Sequence, residues 1–204
     1  MNIAIIKYNA GNVQSVIYAL ERLGVKPVLT DKPEELHRAD KVIFPGVGEA
    51  RSTMKYLRER GLDTVIRSLK QPVLATCIGM QLLCDYSEEH DTECLGIIPA
   101  RVVRFPHNGK EKIPHVGWNT LTAMRSPLFK NLPQPQSISA DAGNPHIYYV
   151  HSYCVLLNAY TIAETEYIVP FSAGLQKDNF YALQFHAEIS GVIGSKILHN
   201  FLHL

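Results

Sequence analysis

Three short stretches carry residue types that do chemistry together. Residues 72–76 are a compact apolar run opened by Pro72, which reads as a buried strand. Cys77 follows at once, inside Ala75-x-Cys77-x-Gly79, and a helix begins behind it. Small residues on either side of a nucleophile let the chain turn sharply and push the thiol above a sheet. A helix start beside the sulfur favours thiolate. The same pattern also fits a small buried thiol between a strand and a helix. Near the other end, Tyr181-Ala-Leu-Gln-Phe-His186-Ala-Glu188 closes a strand. A neutral imidazole there can take a thiol proton, and a carboxylate on its second nitrogen fixes the tautomer. Residues i and i+2 on a strand rarely bond directly, so this pairing requires a bend at Ala187. The alternative is a solvated His-x-Glu at a strand end.

The third stretch is Pro45-Gly46-Val47-Gly48. Its G-x-G is no dinucleotide fingerprint: Arg51 stands where the third glycine belongs, and the motif follows the third strand, not the first. Two glycines leave the backbone free to aim an N–H at a developing oxyanion. A plain strand-to-helix turn fits equally. His107, His115, His146 and His151 show no zinc spacing such as H-x-x-x-H, His37, His90, His199 and His203 read as surface residues, and no cofactor is expected.

The elements that must hold these stretches follow from periodicity. Strands are expected at residues 2–7, 26–30, 41–44 and 72–76, alternating with helices at 13–23, 32–39 and 49–70, the last broken near Gly61. Such alternation means right-handed βαβ units and a parallel sheet covered on both faces. After Glu89 the pattern changes to strands joined by turns, at 101–105, 116–121, 147–156, 161–166, 171–176 and 180–185, which are antiparallel signals. A helix at 190–202 closes the chain. Cys84 reads as a core residue of the helix after Cys77.

Bulk properties narrow the class. A chain of 204 residues suits one α/β domain with a mixed sheet. The net charge of +1 gives no reason to expect a nucleic-acid partner. No apolar run is long enough for a membrane span, and residues 1–7 read as a strand, not a signal peptide. Four cysteines without paired spacing favour a reducing, cytoplasmic setting.

Five motifs occur in one order: Tyr8-Asn-Ala-Gly-Asn-Val-Gln-Ser15, Pro45-Gly-Val-Gly48, Cys77-Ile-Gly-Met-Gln-Leu-Leu83, Ile113-Pro-His-Val-Gly-Trp-Asn119 and Tyr149-Val-His-Ser-Tyr153. Together with His186-x-Glu188 they resemble the class I glutamine amidotransferases, and among these the glutaminase subunits of imidazole glycerol phosphate synthases. The resemblance covers nearly the whole chain. It implies a flavodoxin-like three-layer α/β fold with a mostly parallel central sheet and an antiparallel extension. It also implies hydrolysis of L-glutamine, with ammonia passed to a (β/α)₈ cyclase subunit in a heterodimer.

Carried onto this sequence, the resemblance makes Cys77 the nucleophile, His186 the proton carrier and Glu188 its support. Ile78 N–H and the Gly46-Val47-Gly48 backbone would form the oxyanion hole. Gln81, Glu89, His151, Ser152 and Tyr153 would hold glutamine, although Glu89 also fits an exposed helix-end carboxylate. Asn12, Trp118 and Tyr148 would line the partner interface, although Trp118 also fits a core aromatic and Asn12 a helix cap. The chain departs from the family pattern at three points. Ala75 stands for the usual elbow glycine, and Ala187 and Ile189 replace the proline and lysine of H-P-E-K. Two other readings stay open: a glutaminase serving a different synthase, and an inactive regulatory subunit.

Overall fold

The structure, a computed structural model, describes residues 1–9, 13–107, 109–133 and 144–204. In chain order the elements are β1 (Ile3–Ile6), α1 (Gln14–Arg22), β2 (Val28–Thr30), α2 (Pro33–Arg38), β3 (Lys41–Phe44), α3 (Ala50–Glu59), α4 (Leu62–Ser68), β4 (Val73–Thr76) and α5 (Ile78–Leu83). There follow β5 (Cys84–Ser87), β6 (Thr92–Glu93), β7 (Ile98–Arg104), β8 (His115–Thr120), β9 (His146–His151) and β10 (Tyr153–Val155). The last are β11 (Thr161–Glu166), β12 (Pro170–Lys177), β13 (Phe180–Leu183) and α6 (Gly191–Leu202).

The central sheet runs β11-β12-β13-β4-β3-β1-β2. From β13 to β2 the strands are parallel, and β12 and β11 add an antiparallel edge. Its central strands are buried on both faces, which is why they read as continuous apolar runs. Alternate residues sort into two cores. Ala4, Ile6, Val42, Phe44, Val73 and Ala75 meet the layer of α2, α3, α4 and α5. Ile3, Ile5, Ile43 and Leu74 meet α1, α6 and the inner face of β9. The helical stretch from 49 to 70 is broken where expected: Gly61 adopts φ 66, and α3 and α4 lie on either side of it.

Three expectations need correction. Residues 180–185 were expected as an antiparallel strand; β13 is antiparallel to β12 but parallel to β4, with Leu183 opposite Thr76. That insertion brings the end of β13 beside the end of β4. Cys84 does not belong to the helix: α5 stops at Leu83, and Cys84 opens β5, part of a second sheet ordered β10-β7-β5-β6. Residues 147–156 are two strands, because Ser152 separates β9, paired with β8, from β10, paired with β7.

In an open parallel sheet, ligands bind where the strands' carboxyl ends meet. Here the ends of β1, β3, β4 and β13 deliver Tyr8, Pro45, Cys77 and His186 to one rim.

Candidate active site

The chain turns at Cys77 with φ 50 and ψ −115, a backbone region that L-residues rarely occupy. The Cys77 amide is spent on Leu183 O of β13 (2.7 Å), and α5 starts at the next residue. The elbow fits because two glycines let backbones touch. A Cβ on Gly46 would lie 2.1 Å from Thr76 O and 2.7 Å from Ile78 N, and one on Gly79 would lie 2.5 Å from Phe44 O. Ala75, in place of the elbow glycine, is fully buried in the sheet opposite Phe44 and Ala182, so its methyl does not prevent the turn.

Cys77 is 8% exposed. Its thiol points toward Val150 O at 3.9 Å, and the Gln184 amide approaches the sulfur at 4.0 Å. The bend required at Ala187 is present as a 3₁₀ turn, Ala187–Ile189, without the family's proline. His186 Nδ1 and Glu188 Oε1 are 2.7 Å apart, with both side chains buried. A carboxylate can only accept when ionised, so Nδ1 carries the proton and Nε2 is left for the site. Nε2 is buried without a hydrogen-bond partner among the described residues. Burial opposes charge on this imidazole, but the adjacent Cys77 and Glu188 outweigh it and raise its pKa to about 10. The turn is clamped from β9: His186 N–H donates to Tyr148 O (3.1 Å), Tyr148 N–H to Ser190 Oγ (2.9 Å), and Ser190 Oγ to His186 O (2.5 Å).

Cys77 opens into a cleft of about 260 Å³. All five expected glutamine-binding residues line it, Gln81, Glu89, His151, Ser152 and Tyr153, together with Gly48 and Ile78. Gln81 Nε2 donates to Tyr153 O and to Gln184 Oε1, both at 3.0 Å. Glu89 is not at a helix end; it sits in the turn between β5 and β6. Its Oε2 accepts from Ala50 N–H (2.8 Å), and burial raises its pKa while that bond opposes the rise. His151 Nδ1 donates to Tyr153 O (2.7 Å), so its Nε2 accepts from His115 Nδ1 (3.2 Å). Gly46 is packed behind the elbow and Val47 is half-buried; neither lines the cleft.

Sequence reasoning missed Pro114 and Val150, which also line the cleft, and Gln184, which is fully buried. A glutamine inside the apolar run Tyr181-Ala-Leu-Gln-Phe185 was a signal for the last, since buried amides need partners. Roomier clefts lie elsewhere among the described residues: about 510 Å³ beside α3, about 370 Å³ between β1 and α2, and about 760 Å³ beside Phe105 and Lys112. None of the three has a cysteine among its lining residues, so chemistry and not size selects the site.

The β8–β9 hairpin presents alternate residues to opposite sides. His115, Ile147, Tyr149 and His151 are buried, whereas Val116, Trp118 and Val150 are exposed, Trp118 at 57%. Trp118 is therefore no core residue; its ring meets Tyr148 edge-on at 5.9 Å. Asn12 lies outside the described residues.

Known proteins give the same picture. Residues 4–204 match the class-I glutamine amidotransferase family. A Bacteroides fragilis protein named imidazole glycerol phosphate synthase subunit HisH is 54% identical, with both chains fully covered. A protein of that name from Idiomarina loihiensis is 40% identical over all of this chain and 98% of its own. Among solved structures, a putative GMP synthase subunit from Thermoplasma acidophilum superposes with a TM-score of 0.74, at 20% identity, over all of this chain and 93% of that one. A matching sequence from near its first residue to its last, on the fold that solved relatives share, means that the chain belongs to the class-I glutamine amidotransferase family.

Proposed function

We infer that this chain is the glutaminase subunit of an imidazole glycerol phosphate synthase, hydrolysing L-glutamine to glutamate and ammonia for histidine biosynthesis. The observation that carries the chemistry is the thiol elbow at the end of β4 beside the 2.7 Å His186–Glu188 pair at the end of β13, near enough that Cys77 raises the His186 pKa. That pairing also argues against an inactive regulatory subunit.

The proposed course follows from the geometry. Residues 1–204 act as one catalytic domain. Glutamine enters the cleft with its side-chain amide over Cys77, its α-amino group toward Glu89, and its remaining polar groups against Gln81 and the 151–153 segment. The sulfur attacks the amide carbon. The tetrahedral oxyanion is met by Ile78 N–H, a first-turn donor without an intrahelical partner, and by the backbone at 46–48. His186 passes its proton to the departing ammonia, leaving a thioester. It then takes a proton from water, which attacks the thioester and releases glutamate. Glu188 holds the imidazole tautomer throughout.

The synthase's other subunit is proposed to be a (β/α)₈ cyclase, docked on the exposed face of Val116, Trp118, Tyr148 and Val150. There ammonia would react with the phosphoribulosyl-formimino aminoimidazole carboxamide ribonucleotide, giving imidazole glycerol phosphate and an aminoimidazole carboxamide ribonucleotide. The test is glutamine-dependent formation of imidazole glycerol phosphate by the mixed subunits. A chain that hydrolyses glutamine only with another synthase would overturn the assignment of pathway while leaving the glutaminase intact.

A further inference from the structure

Tyr8 sits at the carboxyl end of β1 and belongs to none of the roles above. Its ring is buried and packs edge-on against Phe44, with centroids 5.5 Å apart. Its hydroxyl donates to Pro45 O at 2.5 Å. A peptide group is planar and trans, so holding the Pro45 carbonyl also holds the next N–H, that of Gly46, pointing the other way. The proline ring fixes φ at residue 45. On the opposite side, Gly46 is wedged against Thr76 O and Ile78 N with no room for a methyl group. The root of the 45–48 segment is therefore gripped from two sides.

The grip ends there. Val47 is half-buried, and Gly48 is exposed with φ +146, where a Cβ would meet only Thr53 Oγ1, at 3.3 Å. Any peptide reorientation in this segment is thus confined to the part beyond Gly46. We propose that Tyr8 is a positioning residue for the glutaminase reaction, anchoring Pro45 so that the 46–48 backbone is presented to the oxyanion beside Ile78 N–H. The proposal rests on the reading of this segment as part of the oxyanion hole.

Tyr8→Phe keeps the ring and its contact with Phe44 and deletes only the hydroxyl. With the cyclase and its nucleotide present, kcat for glutamine hydrolysis should fall about tenfold or more, with KM within about twofold, as expected for a contact felt in the transition state. Alkylation of Cys77 by iodoacetamide displaces iodide at carbon and forms no oxyanion, so its rate should stay near wild type. An unchanged kcat would overturn the proposal. So would a parallel fall of kcat and alkylation, which would make Tyr8 a prop for the whole site. A wild-type pair unable to turn over glutamine would instead overturn the proposed function, and the anchor with it.

Discussion

Cys77 holds a backbone conformation that costs a non-glycine residue of the order of 1–3 kcal/mol. The surrounding sheet and the Gly46–Gly79 approach hold it there. Alanine tolerates that conformation about as well as cysteine, so Cys77→Ala is expected to fold. It should abolish glutamine hydrolysis and leave ammonia-dependent synthesis by the two subunits intact, measured with ammonium salts in place of glutamine. Retained glutamine turnover would remove Cys77 from the mechanism. The other thiols do not compete: burial pushes Cys94 and Cys154 up to about 12 and Cys84 higher still. Cys84→Ala should therefore cost stability and little activity. At the neighbouring pair, His186→Ala should be more damaging than Glu188→Gln, because the imidazole moves the protons and the carboxylate orients it. Glu188→Gln should also lower the His186 pKa from about 10, since it removes one of the groups that raise it. An NMR titration of the imidazole reads this directly. Equal kinetic losses in two folded variants would mean that Glu188 does more than orient.

At the scale of elements, the β8–β9 hairpin couples the cleft to a buried histidine pair. Asn119 Nδ2 lies 3.4 Å from His115 Nε2, His115 Nδ1 donates to His151 Nε2, and His151 Nδ1 donates to Tyr153 O. Each step uses a neutral ring as donor on one side and acceptor on the other. The His115 ring also stacks on Tyr149 and Tyr167. Burial lowers His115 to about 4 and His151 to about 3, below the ordinary 6.5 of an unfolded chain. Above pH 6.5 both states are neutral and the hairpin's contribution is complete. Below it the unfolded chain takes up protons that the fold refuses, so stability falls from about pH 6.5 down toward pH 4 and 3. Urea midpoints measured from pH 7 to pH 5 should decline, with a shallower slope in His115→Phe. An unchanged slope would show that His115 is not among the groups responsible.

Legibility also divides at this scale. Strands β1, β3 and β4 were readable because apolar runs bounded by turn residues are local, and the break between α3 and α4 was written in Gly61. The elbow and the His186–Glu188 bend were readable because chemistry demands their spacing. The second sheet was not: Cys84 continues the apolar face of the helix before it, and pairing with β6 and with β7, the latter about 15 positions away, makes Cys84–Ser87 a strand. The parallel placement of β13 was equally hidden, since nothing within residues 180–183 specifies a partner a hundred residues back. Val150, brought to the cleft by the pairing of β9 with β8, shared that fate.

For the whole molecule, the cleft and the exposed apolar face belong to one construction. Tyr148 meets Trp118 on the outer side of the hairpin, while its backbone carbonyl receives the His186 amide and its own amide reaches Ser190. A partner docked on that face would press on the element that clamps the catalytic turn. Across the cleft, the backbone at 46–48 is tied at Pro45 by Tyr8 and again at Ala50 by Glu89, and on the proposed reading the Val47 peptide between these ties can face either way. Only one orientation aims an N–H at the oxyanion, and a missing oxyanion donor costs about a hundred- to a thousandfold in rate. A partner whose docking favours the productive orientation by a similar factor would supply that rate. The isolated chain is therefore expected to be a poor glutaminase. Activity should rise with the proposed cyclase partner, and again with that partner and its nucleotide ligand, the gain lying in kcat more than in KM. Steady-state glutamine hydrolysis under the three conditions checks this. Full activity in the isolated chain would mean that the oxyanion hole is preformed and that Gly48 is an ordinary turn residue.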